Sequence, residues 1–217
     1  MRLTKAYTAR PSADPRFRIL PSDSNVFDIA DRARQAGFVF LSSARWGWGK
    51  RDLANWLVHD YRPAVLAPSA RPRTEVSSSK ADEASATKLV ASARRRIVEM
   101  LSEASTAWTG SDFAEESIEN GLVIGVSDDA GGIGYAPVHQ GRMRLVDRVA
   151  SLFIADYLTR PRDYEQLVVC NSCDEVSFRW DEIHEDGCEA RGPRSGVVVR
   201  PRYRQPTRKG MGSKIGI

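Results

Sequence analysis

Long apolar runs are missing from this chain of 217 residues. Its longest are short pieces such as residues 38–41 and 122–126, whereas a membrane-spanning helix needs about 20 consecutive apolar residues. A soluble chain with no membrane partner is therefore expected. Residues 1–20 are charged and proline-broken and hold no apolar stretch, so no secretory leader is visible. A cytoplasmic location follows as the expectation, and with it reduced thiols and no disulfide framework. No internal repeat of 20–50 residues is apparent. At 41% hydrophobic and 28% charged residues, the composition is that of a globular protein and speaks against wholesale disorder or a collagen-like repeat. The length suits one large domain or two small ones, at about 150 residues each.

Acidic side chains are missing from one end. Residues 190–217 hold eight basic side chains, Arg191, Arg194, Arg200, Arg202, Arg204, Arg208, Lys209 and Lys214, and no acidic ones. Residues 1–189 carry 24 basic and 28 acidic groups, so the net charge of +4 joins a body of −4 to a tail of +8. A basic arm of this kind can bind phosphates with salt-dependent affinity, or be a solvated terminus. Arginine outnumbers lysine 26 to 6, but the excess is spread over the whole chain, so bidentate phosphate recognition is not singled out.

The periodicities predict an α+β protein, with helices packed on a small sheet. Residues 1–22 read as an extended arm interrupted by Pro11, Pro15 and Pro21. A first compact unit spans 23–66. There Asp23 or Ser24 caps a helix with apolar positions Val26, Phe27, Ile29, Ala30 and Ala33, Gly37 stops it, and residues 38–41 follow as a buried strand. A second short helix over 51–61 buries Leu53, Trp56 and Leu57 and ends before Pro63. Residues 67–84, rich in Pro, Ser and Ala, read as a linker or disordered loop.

A second unit covers 85–165. It opens with a helix to about 108 whose apolar face carries Leu89, Val90, Ala93, Ile97, Met100, Leu101 and Ala104, with Arg94, Arg95 and Arg96 opposite. A short acidic helix capped by Asp112 and stopped by Gly121, a strand over 122–126 and a turn over 128–134 lead to the main core helix, 142–159. That helix carries Leu145, Val146, Val149, Leu152, Phe153, Tyr157 and Leu158 on one stripe and is ended by Pro161. A zinc-binding module is expected over 166–200 and a basic flexible tail over 201–217.

The zinc expectation rests on one window. All three cysteines lie in it, as Cys170-x2-Cys173-x10-His184-x3-Cys188. Zinc favours four tetrahedral ligands, with sulfur at about 2.3 Å and imidazole nitrogen at about 2.0–2.1 Å. Residues 167–169 and 176–180 read as the arms of a β-hairpin that presents Cys170 and Cys173 at its tip, while the spacing of His184 and Cys188 suits one helical turn. A redox pair is the rival for an isolated C-x-x-C, disfavoured here because strand-like residues follow in place of a helix N-terminus.

This window resembles the single-site C2HC zinc fingers and zinc knuckles over residues 168–188. The resemblance implies a structural zinc held by Cys170, Cys173, His184 and Cys188. It implies no partner, since such modules bind nucleic acid in some proteins and other proteins in the rest. Four protein ligands leave no open position for water or substrate, which argues against zinc hydrolysis. Phe178, Trp180 and Ile183 are expected to form the small apolar core of the module, and structural zinc supplies about 10–16 kcal/mol in isolated finger peptides. Residues 174–189 carry seven acidic side chains against one base, Arg179, so the finger face itself repels phosphate.

Other motifs fail. Gly47, Gly49 and Lys50 suggest a P-loop, but Ala44 and Arg51 occupy positions that need Gly and Ser or Thr. Trp46 and Trp48 can stack bases or pack on the neighbouring helix, the second being favoured. Residues 125–134 lack the G-x-G-x-x-G spacing, and Asp128 with Asp129 reads as a turn with solvated carboxylates in preference to a pair of magnesium ligands. His59 reads as a core or edge histidine, and neither it nor His139 has a catalytic constellation nearby in sequence. The expected function is that of a non-enzymatic interaction or regulatory protein. Its contact surface would be the zinc module and the Arg-rich tail, and its partner another protein. The alternatives are a nucleic-acid-binding regulator using residues 191–209, or an enzyme whose site is assembled from distant residues.

Overall fold

A computed structural model of the protein describes residues 17–21, 24–66, 80–108, 111–139, 143–170 and 173–178. The first long helix, α1 (Val26–Ala44), is capped by the Asn25 side chain, which accepts from the Phe27 N–H at 2.7 Å. The cap is thus not Asp23 or Ser24. Nor does Gly37 end the helix: α1 runs through it, and residues 38–41 are helical, not a strand. A short apolar run has no periodicity to separate a buried strand from a buried helical turn. Gly37 serves a close approach instead, since a Cβ there would lie 2.7 Å from the Phe153 ring.

The second helical stretch is also longer than its proline suggests. Helix α2 (Lys50–Trp56) passes through a widened turn over Leu57–Tyr61 into α3 (Arg62–Ala64), which contains Pro63. In that turn the Arg62 N–H bonds the Leu57 carbonyl five residues back. In a regular helix the Pro63 ring collides with the carbonyl four residues earlier, and the wider turn relieves that clash.

Helix α4 (Lys80–Ala107) begins before the residue where the linker was expected to end, so only residues 67–79 of that linker lie outside the described residues. It buries Val90, Ala93, Ile97 and Leu101, while Leu89 is exposed. Helix α5 (Ser111–Glu119) ends at Gly121, whose φ of 64° lies in the left-handed region as a helix stop requires. Strands β1 (Phe17–Ile19), β2 (Val123–Ser127) and β3 (Ile133–Pro137) form one sheet, β1 parallel and β3 antiparallel to β2. Helix α6 (Leu145–Thr159) is the expected core helix. A 3-10 turn over Pro161–Gln166 then leads into a two-stranded hairpin, β4 (Val168–Val169) with β5 (Val176–Ser177).

The result is an α+β arrangement of helices and two small sheets. One cluster of buried side chains joins Phe40, Leu41 and Trp56 of the first stretch to Ile97, Leu101, Leu152 and Phe153 of the second, and to Leu167, Val169 and Val176 of the hairpin. A smaller cluster of Leu20, Val26, Ile29, Val126 and Ala136 fills the space between the three-stranded sheet and the start of α1. Asp128 ties the two together: its carboxylate accepts from the Gly132 N–H at 2.7 Å, closing the β2–β3 turn, and from the Val26 N–H at 3.2 Å. Among the described residues no helix is long and apolar enough to cross a membrane.

Candidate functional site

The hairpin β4–β5 carries the first two cysteines. Val168 pairs with Ser177 and Val169 with Val176. One step further the Cys170 N–H donates to the Glu175 carbonyl and the Asp174 N–H donates to the Cys170 carbonyl, both at 2.8 Å. Cys170 and Cys173 therefore belong to one tight turn. Asp174 closes it with φ of 53°, a left-handed conformation that Asp tolerates better than most residues because its short side chain bonds locally. Cys170 is buried and Cys173 half-buried.

Three arginines of the helical body hold this hairpin. Arg45, just past α1, pairs with Glu175 at 2.7 Å. Arg94 on α4 donates from Nε to the Leu41 carbonyl at 2.8 Å and from Nη2 to the Asp174 carbonyl at 2.9 Å, with Asp174 Oδ2 4.0 Å from Nη1. Arg94 is thus buried and not on the outer face with Arg95 and Arg96. Burial lowers its pKa, with Arg45 adding to the effect and Asp174, Glu175 and Cys173 opposing it; an arginine stays charged throughout. Arg34 on α1 lies 4.3 Å from the centre of the Phe178 ring. Phe178 also packs on Phe38 at 5.3 Å and Tyr164 at 5.1 Å. It is therefore part of the main body, not the private core of a small module. An aromatic ring next to two helices gains more contact there than in a loop with few apolar neighbours.

The same Arg34 reaches a buried carboxylate. Asp156, fully buried on α6, accepts from Arg34 Nε at 2.7 Å, from Arg160 Nε at 3.0 Å and Nη2 at 2.6 Å, and from the Tyr164 hydroxyl at 2.8 Å. Arg160 also pairs with Asp31, and Arg34 with Asp163 at 2.8 Å. Burial, and then the Asp156 charge, push the Tyr164 hydroxyl well above its ordinary pKa. Every member has a charged or hydrogen-bonding partner, as a buried polar network must. Its only mark in the sequence is an acid within the apolar stripe of α6, four residues before an arginine.

The remaining candidates separate. His184 and Cys188 lie outside the described residues, as do Arg191, Arg194, Arg200, Arg202, Arg204, Arg208 and Lys209 of the basic tail, and Trp180 and Ile183. Among the described residues no group of three or more His, Cys, Asp or Glu is placed to hold a metal ion. Trp48 packs edge-on against Phe40 at 5.5 Å, whereas Trp46 is 76% exposed, with the Arg45 guanidinium 5.7 Å from its ring centre. His59 is exposed, not buried. His139 lies edge-on to Tyr61 at 5.8 Å, and neither its Nδ1 nor the Tyr61 hydroxyl has a hydrogen-bond partner among the described residues. Burial, with Arg148 adding, lowers the His139 pKa, and burial pushes Tyr61 up to about 12 against the pull of Arg148. Asp128 is engaged in backbone bonds and does not join His139 in a polar cluster. No family model, curated protein or solved structure matches the chain.

Proposed function

We propose that the protein is a non-enzymatic interaction or regulatory protein built around one structural zinc ion held by Cys170, Cys173, His184 and Cys188. The observation that supports this reading is the turn on which Cys170 and Cys173 both lie, closed by the Asp174 N–H on the Cys170 carbonyl. Two sulfurs on one tight turn are half of a tetrahedral site. The spacing of the third cysteine and of one of the three histidines in the chain supports the other half. Four protein ligands give the zinc a structural and not a hydrolytic role. A reducing compartment, the cytoplasm, suits three thiols kept available for metal.

Charge supports the choice of partner. The acidic stretch 174–189 runs straight into the basic residues 191–214. The metal-bound segment with its Arg-rich tail is then a surface of two signs, suited to another protein. The test is metal content with stoichiometry on the purified full chain, prepared under reducing, chelator-free conditions. One zinc per chain is expected, lost together with thermal stability in Cys173→Ser and His184→Ala. Full zinc content and unchanged melting in Cys173→Ser overturn the assignment.

A second reading, nucleic-acid binding, is favoured by Trp46. Its exposed ring beside Arg45 is a base-stacking platform next to a cation, and Arg191, Arg194, Arg200, Arg202, Arg204, Arg208 and Lys209 would supply the phosphate contacts. Single-strand and duplex binding over a salt series tests it. Affinity falling steeply with salt supports it, and no binding at low salt removes it.

A further inference from the structure

Arg94 occupies a position that its own helix does not account for. It belongs to a run of three arginines on α4, of which Arg95 and Arg96 face solvent while Arg94 is only 9% exposed. A buried guanidinium is costly unless its charge and its donors are met. Its donors go to two backbone carbonyls, of Leu41 and Asp174. The nearest carboxylate oxygen, on Asp174, is 4.0 Å away, and Glu175 is held by Arg45. The fixed positive charge faces the turn in which Cys173 directly precedes Asp174.

We infer that Arg94 is the positioning residue of the metal centre, an inference that rests on the zinc reading above. Three thiolates and one neutral imidazole around a divalent ion carry a net charge of −1. With Cys170 buried, that charge needs a partner, and the guanidinium of α4 supplies one. The same side chain pins the carbonyl of Asp174 and so holds the left-handed residue that sets the direction of the chain after Cys173. One residue, 80 positions away in sequence, thus fixes both the geometry and the electrostatics of the cysteine pair. Groups that orient metal ligands from outside the coordination sphere change metal affinity by about 10–100-fold when removed. Because coupling is reciprocal, metal binding tightens the joint between α1, α4 and the hairpin by the same factor. Zinc loading is therefore reported to the helical body and not confined to its own loop.

The experiment compares the full-length wild type with Arg94→Met, Arg94→Lys and Arg95→Met. Zinc affinity is measured by competition with a chromophoric chelator, the ligand field by the cobalt(II) spectrum, and folding of the metal-free proteins by far-UV circular dichroism and thermal melting. Arg94→Met is expected to keep one zinc per chain while losing affinity about 10-fold or more, with a displaced cobalt spectrum. Arg94→Lys keeps the charge but not the two-pronged bond. It should lose less, about 3-fold, and covers the case in which the methionine variant does not fold. Arg95→Met should match the wild type. Wild-type affinity and cobalt spectrum in Arg94→Met or Arg94→Lys overturn the inference while leaving the zinc reading intact. Absence of metal from the wild type overturns both.

Discussion

Substituting Gly37 by alanine tests the close approach of α1 to α6. On helix propensity alone Gly37→Ala should help, because alanine is about 0.5–1 kcal/mol better than glycine in a helix interior. The position is deep within α1 and Gly37 is buried, so nothing at a helix end offsets that gain. Packing works the other way. The added Cβ would sit 2.7, 2.9 and 3.2 Å from three carbons of the Phe153 ring, the first two closer than real side chains approach. Phe153 is fully buried, and its ring meets Phe38 edge-on at 5.6 Å, so it has no free volume to retreat into. Forcing one extra carbon into such a core costs about 1–3 kcal/mol. The packing term wins, for a net loss of about 1–2 kcal/mol.

Urea unfolding followed by circular dichroism reads this directly, and melting should fall by about 2–4 °C for each kcal/mol lost in a chain of this size. The control is Phe153→Leu, which takes away the ring carbons that the new methyl would strike. In that background Gly37→Ala should become neutral or stabilising, a coupling of about 1–2 kcal/mol between two residues in contact. A Gly37→Ala protein more stable than wild type by about 1 kcal/mol would refute the reasoning, because the helix term would then act unopposed and α1 could not lie so close to α6.

Asp156→Ala removes the fully buried acceptor shared by Arg34, Arg160 and Tyr164 and is expected to cost about 3–5 kcal/mol by denaturant unfolding, because two cations lose their common partner; a cost below about 1 kcal/mol contradicts the network. Stability should also depend on pH at both ends. His139 has a lowered folded pKa, so its contribution is complete above the ordinary imidazole value of about 6.5 and is lost as pH falls through the folded value; His139→Gln should flatten that acid limb. Tyr61, raised to about 12, and Tyr164, raised well above its ordinary value by burial and the Asp156 charge, stay protonated in the fold after unfolded tyrosines ionise near pH 10. Stability therefore falls as pH rises above about 10, and Tyr61→Phe reduces the slope. Trp48→Ala, on a half-buried ring packed against Phe40, should destabilise by about 1–3 kcal/mol, whereas Trp46→Ala, on an exposed ring, should stay within about 0.5 kcal/mol; equal effects would place both rings in one environment. In hydrogen exchange, the amides of Cys170 and Asp174, both bonded within the turn, should stay protected after chelation, and exchange at unfolded-chain rates would show that the turn depends on metal.

What could be read from the sequence followed the strength of its periodicity. The stripe of Leu145, Val149, Leu152 and Phe153 repeats over more than two turns, and α6 is where that stripe places it. Gly121 and the strand after it were equally legible, since a left-handed stop before an apolar run has one ordinary meaning. The errors cluster where a local signal was overruled by a distant contact. Gly37 reads as a stop until Phe153 is seen against it, and Pro63 reads as an end until the widened turn before it is seen. The cysteine pair was visible from its spacing, but the residues that hold its turn were not. Arg45 and Arg94 are 130 and 80 positions from the groups they bind, a separation that no window of sequence spans. Arg94 was hidden further by Arg95 and Arg96, because a run of like charges reads as one solvated face.

These anchors change what kind of site the cysteine pair belongs to. A free-standing finger has so few apolar side chains that metal binding and folding are one event. Here Leu167, Val169 and Val176 already lie in the main core. Phe178 is gripped by Arg34, Phe38 and Tyr164, and the turn between is pinned by Arg94 and Arg45. The hairpin therefore draws its stability from the helical body. On the zinc proposal, binding that does not have to order Cys170 and Cys173 would lose less conformational entropy. On that proposal the helical body would offer the metal a preformed turn, tied to α4 through the Arg94 bond to the Asp174 carbonyl.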